Sequence, residues 1–488
     1  MPPLLTDRSP SSTMDRSAQV RVTMVLCVVA AIGGLVLHGQ GYLSGSALTA
    51  VVVVAAAAEV LACAPSLRRP FAYAMLALSM VDVSPFRLSG SYVRIYQIGS
   101  VLLPLCLIGV RRKSGTSYVL PVSLAVLTGL SWLSLTSTLS RADTLHVSAG
   151  QTYLVLLALM VVELHRREVI TIDRTLDALL LGCSIGSLAA LGEFAISLFG
   201  VDFHVFHQSG IPWARPAGLM LEPDWAGLVA AMGLIIAVFS FRRGRRALYA
   251  VVAGLNLAVV GLTAVRSVLV ALVVTAFVLA VAPRVPRRSR ALGATAVLGL
   301  VAAGAALFTF SPELSQRYNP SQVRGGVADN GAGNSRLGVL RLIEHEGPER
   351  MWRGHGAGSI AYTTSLPEKA LKYGGGGVLN GGHGSTNLFA STFYDLGLPG
   401  LLAVIVVAAS WLLKSWRAAH PSLLPLALLQ LATFQLTNGF RFGFVWVFMA
   451  LATVSHAAGR AQSEDPAESV RAPAPQHREE RLPQDHEI

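Results

Sequence analysis

Apolar runs recur along almost the whole chain, and every second connection between them carries a cluster of Lys and Arg. No other feature restricts the fold as much. The runs lie at about Val22–Leu37, Ser46–Ala64, Phe71–Val83, Ile95–Val110, Tyr118–Thr138, His146–Leu164 and Leu176–Gly200. They continue at Gly218–Phe241, Ala247–Val265, Ser267–Ala282, Ala291–Phe310, Asn387–Leu413, Leu423–Leu436 and Phe444–Ala457. Several are shorter than the roughly 20 residues that span a bilayer as a straight helix. With 53% hydrophobic and 14% charged residues, the chain is far less charged than the roughly 25% usual for soluble domains. The expected fold is therefore an all-α, polytopic integral membrane protein with about fourteen transmembrane helices over residues 22–458. Disordered tails are expected at 1–21 and 459–488, where Ser, Pro, Arg, Glu and Gln replace the apolar pattern.

The basic clusters set the expected orientation. They are Arg68 and Arg69; Arg111, Arg112 and Lys113; Arg166 and Arg167; the arginines of 242–246; those of 284–290; Lys414 and Arg417; and Arg460. The positive-inside rule places these connections, and with them both termini, in the cytoplasm. Arg87, Arg94, Arg141, Arg215, Arg266 and Arg441 then fall on the outer side of the cytoplasmic membrane, as does one long loop, 311–386. The net charge of +12 is distributed in this topological pattern, so no nucleic-acid partner is expected. Cys27, Cys63, Cys106 and Cys183 lie in apolar runs, where a thiol serves as a small hydrophobe. No disulfide or metal site is expected. Soluble nucleotide-sugar chemistry has no cytoplasmic domain large enough to house it.

Chemistry is expected at the outer face. An arginine at the membrane edge is costly and keeps its charge, and its forked donors match phosphate oxygens. Arg215 stands in W-A-R-P-A-G, at the opening of the run that carries Glu222, Pro223 and Asp224. Arg266 stands between two nearly contiguous runs in L-T-A-V-R-S, with no Gly or Pro to account for a turn. Glu222 and Asp224, about one turn into their helix, suit counter-ions for outer arginines or a catalytic base, and Pro223 between them can distort that helix. In the long loop, 334–343 (N-S-R-L-G-V-L-R-L-I) has apolar residues at helical spacing, suited to lying on the membrane, and carries Arg336 and Arg341. A glycine-rich turn, W-R-G-H-G-A-G at 352–358, follows. The loop closes on G-G-H-G-S-T-N, with His383 and Asn387, and on D-L-G-L-P-G, from Asp395 to Gly400. His383 is either a solvated loop residue or a base delivered by a mobile segment.

These pieces, in this order over about Trp213–Leu402, resemble the O-antigen ligase and O-antigen polymerase superfamily of bacterial membrane glycosyltransferases. The resemblance rests on R-P-A-G-L-M-L-E-P-D-W-A-G-L at Arg215, on L-T-A-V-R-S at Arg266, on N-S-R followed by G-H-G-A-G, and on Asn387-x9-Gly397-Leu-Pro-Gly400. It implies transfer of a glycan from an undecaprenyl diphosphate carrier to an acceptor hydroxyl, with inversion, without metal and without cofactor. Arg215, Arg266, Arg336 and Arg341 would bind the diphosphate, Arg215 and Arg266 would act catalytically on it, and Glu222, Asp224, Asn387, Asp395, Gly397 and Gly400 would support the site. The sequence departs from the family at Thr386, where ligases carry His directly before the Asn, and at Val265, where Ser is frequent. His383, three residues before Thr386, is the candidate substitute base. The first departure favours polymerisation or another polysaccharide transfer over ligation to a lipid core. A lipid-linked oligosaccharide flippase is the alternative reading, although a long loop on one side only suits a fixed catalytic face better than alternating access.

Overall fold

The computed structural model describes residues 45–82, 86–88, 91–110, 119–201, 205–206, 213–240, 246–282, 340–366, 387–435, 440 and 442–464, with isolated positions at 287, 291, 295 and 299. Its elements are α1 (Gly45–Cys63), α2 (Pro65–Leu78), a hairpin of β1 (Phe86–Leu88) and β2 (Ser91–Val93), α3 (Ile95–Ser100) and a 3-10 turn (Leu103–Leu107). Then come α4 (Val119–Leu133), prolonged by a 3-10 turn (Ser134–Thr136), α5 (Arg141–Arg166), α6 (Ile172–Ser197), the short pair β3 (Val205–Phe206) and β4 (Arg215–Pro216), α7 (Pro223–Ser240), α8 (Arg246–Thr263) and α9 (Arg266–Val281). After residue 340 come a helical segment at 340–346, a 3-10 turn (Pro348–Arg350), α10 (Ser359–Ser365), α11 (Leu388–Trp416), α12 (Leu423–Thr433) and α13 (Gly443–Glu464). The protein is a helical bundle with two small antiparallel hairpins added.

Among the described residues, five helices are long and apolar enough to cross a membrane: α5, α6, α7, α8 and α11. Shorter apolar helices occur in α1, α4, α9, α12 and α13. The expected run at 22–37 lies outside the described residues, and that at 291–310 lies almost wholly outside them. Two expected runs are corrected. Ile95–Val110 is not one span but α3 followed by a 3-10 turn, because Pro104 supplies no N–H to continue an α-helix. The run expected from Phe71 begins at Pro65, so Arg68 and Arg69 sit inside α2 rather than in a connection.

One large apolar core, drawn from residues between Ala72 and Val454, runs through the bundle. Its central layer is closed by close approaches: Gly233 of α7 packs on Asn256 and Cys183, and Asn256 accepts a hydrogen bond from Ser187. Cys106 and Cys183 are buried and Cys63 is exposed, all three as free thiols.

The connections sort into two ends. At one, Arg68 is buried and donates to the carbonyls of Leu61, Ala62 and Ile108, filling acceptors left open at the end of α1. Arg167 donates to Leu107 and Val110, and His420 faces Asp173. Leu279, Ala282 and Leu424, with Trp416 against them, mark the same end for α9, α11 and α12. The opposite end gathers Asp82, Arg94, Glu193, Arg215, Asp224, Asn387 and the residues 340–366, and is called the loop end below.

Candidate functional site

The segment W-A-R-P crosses the end of α8. The last turn of a helix leaves carbonyl oxygens without partners. Two of them are taken here: the Trp213 indole donates to Leu262 O at 2.8 Å, and Arg215 Nε donates to Thr263 O at 2.6 Å. Arg215 also donates from Nη2 to Asp224 Oδ1 at 2.7 Å. The Arg215 side chain is 10% exposed and that of Asp224 30%. Arg215 thus ties the end of α8 to the start of α7.

This arrangement corrects the expected placement of the carboxylates. Arg215 does not open a helix; it lies in the extended pair β3–β4, opposite Phe206. The helix begins only at Pro223, the first residue, where a missing N–H costs nothing and the ring's φ suits the turn. Pro223 therefore starts α7 rather than distorting it. The Glu222 carbonyl accepts from Trp225 N and Ala226 N, and its side chain is exposed. Asp224, in the first turn, faces the positive end of the helix dipole as well as Arg215.

Ala264 and Val265 alone join α8 to α9. A turn this tight without glycine puts Ala264 at φ 48°, in the left-handed region. Val265 occupies the N-cap position and, having no side-chain acceptor, caps nothing; it is buried against Gly227 instead. Arg266, the first residue of α9, is exposed. The structure therefore brings Arg215, with its partner Asp224, to the turn that ends in Arg266.

A second layer of residues supports that turn. Glu193, near the end of α6, is buried, and its Oε2 accepts from Ala217 N at 3.1 Å and Gly218 N at 2.7 Å. Gly218 has φ 62°, and a Cβ there would strike the Gly186 carbonyl and Ala190. Asp82 N donates to Leu219 O at 2.9 Å. The Asp82 carboxylate pairs with Arg94, whose guanidinium lies 5.1 Å above the Phe442 ring, and Phe442 in turn packs 4.5 Å from Trp225. Arg94, read from sequence only as a loop cation, belongs to this layer. A lone Glu in an apolar run, as at Glu193, was the one available signal.

The remaining expected residues form a separate cluster. Asp395 accepts from Gly358 N at 3.0 Å and Ile360 N at 2.8 Å through its carboxylate, and from Gly356 N at 2.8 Å through its carbonyl. The segment G-H-G-A-G is thereby docked on D-L-G-L-P-G. Gly397 breaks α11 at φ 68° and ψ −163°, and its neighbour Leu398 N donates to Met351 O at 2.7 Å. Gly400 lets the helix resume against Leu396. Asn387 is the N-cap of α11, accepting from Phe389 N and Ala390 N and donating to Gln435. Leu342 and Ile343 of the helical segment 340–346 are buried against Ile360 and Tyr394, while Leu340 is exposed; residues 334–339 of the segment expected to lie on the membrane fall outside the described residues. Arg341, on the same segment, is exposed. His383, Arg336 and Thr386 lie outside the described residues.

The docked segment also rests on the turn between α4 and α5, which the sequence reading passed over. Leu139 N donates to His355 O at 3.0 Å, Ala357 N to Ser134 Oγ at 3.0 Å, and Arg350 Nη1 to Ser137 O at 2.8 Å. His355 is buried, stacks on Tyr394 at 4.2 Å, and has Nδ1 3.2 Å from the Tyr394 carbonyl. Burial holds its pKa below the usual 6.5, with Arg350 adding to the effect and the Tyr394 carbonyl opposing it. A histidine whose folded pKa is depressed takes up its proton more readily when undocked, so docking is intact above the ordinary value and weakens as the pH falls below it. Proteolysis within 340–366 should accordingly accelerate between about pH 7.5 and about pH 5. H355N should flatten the profile, and a wild-type rate that does not change with pH would refute the assignment.

Compared with known proteins, the chain matches no family model and no curated sequence. Among the described residues, no three His, Cys, Asp or Glu side chains gather as a metal site would require. The geometry does provide an exposed arginine at the positive end of α9, beside a partly buried Arg215–Asp224 pair. Such a place suits an anion.

Proposed function

We propose that this chain is a membrane glycosyltransferase that polymerises or transfers a lipid diphosphate-linked oligosaccharide at the loop end of the bundle. The observation that carries the reading is the position of Arg266. A cation on the first residue of a helix opposes the dipole by about 0.3–1 kcal/mol, and the cap that would quiet the first-turn N–H groups is missing at Val265. Both features favour an anion bound there, and a diphosphate supplies one.

In this reading, Arg266 and the first-turn N–H groups of α9 receive the charge that grows on the diphosphate as the glycosidic bond breaks. Arg215 holds the Thr263 carbonyl three residues before Arg266, and Asp224 holds Arg215 in turn. The loop residues docked through Asp395 stand over the same end of the bundle. His383 is the proposed acceptor-side base, taking the proton from the attacking hydroxyl. An undecaprenyl carrier and the cytoplasmic membrane are parts of the same proposal.

Depleting the protein and following carrier-linked repeat units tests it. Unpolymerised units on the outer leaflet are the expected result. Units held on the cytoplasmic leaflet would overturn the proposal in favour of a flippase, and unchanged units would overturn it outright.

A further inference from the structure

The turn 350–353 is held at one depth by two independent bonds. Met351 O accepts from Leu398 N, the first residue of α11 beyond its break at Gly397, and Arg350 donates to Ser137 O, just past the end of α4. The stretch Leu398–Trp416 runs for about 28 Å at 1.5 Å per residue, close to the roughly 30 Å of a hydrocarbon core. With α11 placed across a bilayer, the turn is level with the point where that helix leaves the hydrocarbon.

At that level its side chains point outward. Trp352 is 67% exposed and Met351 40%, while Leu133, the last residue of α4, and Leu139, on the turn that receives Arg350, are 68% and 43% exposed. Arg350 and Arg353 flank the indole and are exposed as well. An indole at this depth joins an apolar body to a polar N–H, the combination that concentrates at membrane interfaces, and flanking guanidinium groups suit lipid phosphates. The patch continues the exposed apolar face of α4 that carries Val122 and Val126. We propose that Trp352 and Met351 form an interfacial anchor that seats the loop residues 340–366 in the headgroup region of the leaflet at the loop end, with Arg353 on lipid phosphates. The anchor does not depend on the enzymatic reading.

The experiment uses the full chain in nanodiscs containing lipids brominated near the headgroup end of the acyl chain. The chain has seven tryptophans, so the emission of Trp352 is taken as the difference between wild type and W352F. W352Y serves as a second subtraction that keeps an amphipathic ring. Brominated lipid should remove roughly half or more of the difference emission, as expected for an indole in the interfacial belt, while aqueous acrylamide leaves most of it. Quenching by acrylamide with no effect of brominated lipid would overturn the anchor. So would shielding from acrylamide that appears only when a glycan is added, which would make Trp352 a sugar platform instead.

Discussion

Replacing Arg266 with alanine is expected to abolish transfer while leaving the protein inserted and folded. The side chain is exposed at the start of α9, so its loss opens no cavity in the core. If it faces the leaving diphosphate, transfer should fall by about 10²–10³-fold, the usual cost of one donor aimed at developing charge. R266K keeps the charge but not the fork and should recover only part of the rate. R215A is expected to behave differently: it strips the Thr263 carbonyl of its donor and leaves Asp224 without its arginine, so the amount of folded protein should fall along with transfer. Polymer length and yield, normalised to membrane-inserted protein, separate the two variants. Normal polymer from R266A would remove the basis of the proposed function.

The second large effect is expected at Gly354. It lies at φ 66°, and a Cβ there would run into the Asp395 carbonyl and the Gly397 nitrogen, both backbone atoms that cannot swing aside. G354A adds a left-handed strain of about 1–3 kcal/mol to that collision. The docking of 351–358 on α11 should fail, taking with it the bonds from Asp395 to Gly358 and Ile360. Gly109 is the internal control, since it too has a positive φ, 74°, but a Cβ there meets nothing. Limited proteolysis in nanodiscs should cut within 340–366 far faster in G354A than in G109A. Equal rates would show that the docked arrangement is not what protects the segment.

Much of the bundle could be read from hydropathy because burial in lipid and burial in the core both ask for apolar residues, and α5, α6, α7, α8 and α11 each carry that signal over a stretch long enough to cross a membrane. It fails where a proline decides. Pro104 divides a run that looks continuous, and Pro223 starts a helix that hydropathy begins five residues too early, at Gly218. The turn at Arg266 was legible from its charge, but its cause, a left-handed Ala264, was not, because alanine gives no warning of positive φ. Glu193 and the polar turn from Ser134 to Ser140 were missed for a different reason: what they do is accept backbone N–H groups and receive a loop distant in sequence. No local pattern encodes those partners. His383, Arg336 and Thr386 lie outside the described residues, so the base remains a proposal drawn from sequence.

The break in α11 also bears on the order in which the chain is assembled. Asp395 and Tyr394, which hold the glycine segment and cover Leu342 and Ile343, precede Gly397, whereas the apolar stretch that must enter the bilayer follows it. Residues 340–366 are synthesised first and, in the proposed orientation with the loop end outside, cross the membrane before their own scaffold exists. They can close only after the ribosome has passed residue 396 and α11 has been inserted. In that orientation the segment is, between those two moments, an unfolded chain on the outer side of the membrane, open to any chaperone or protease stationed there.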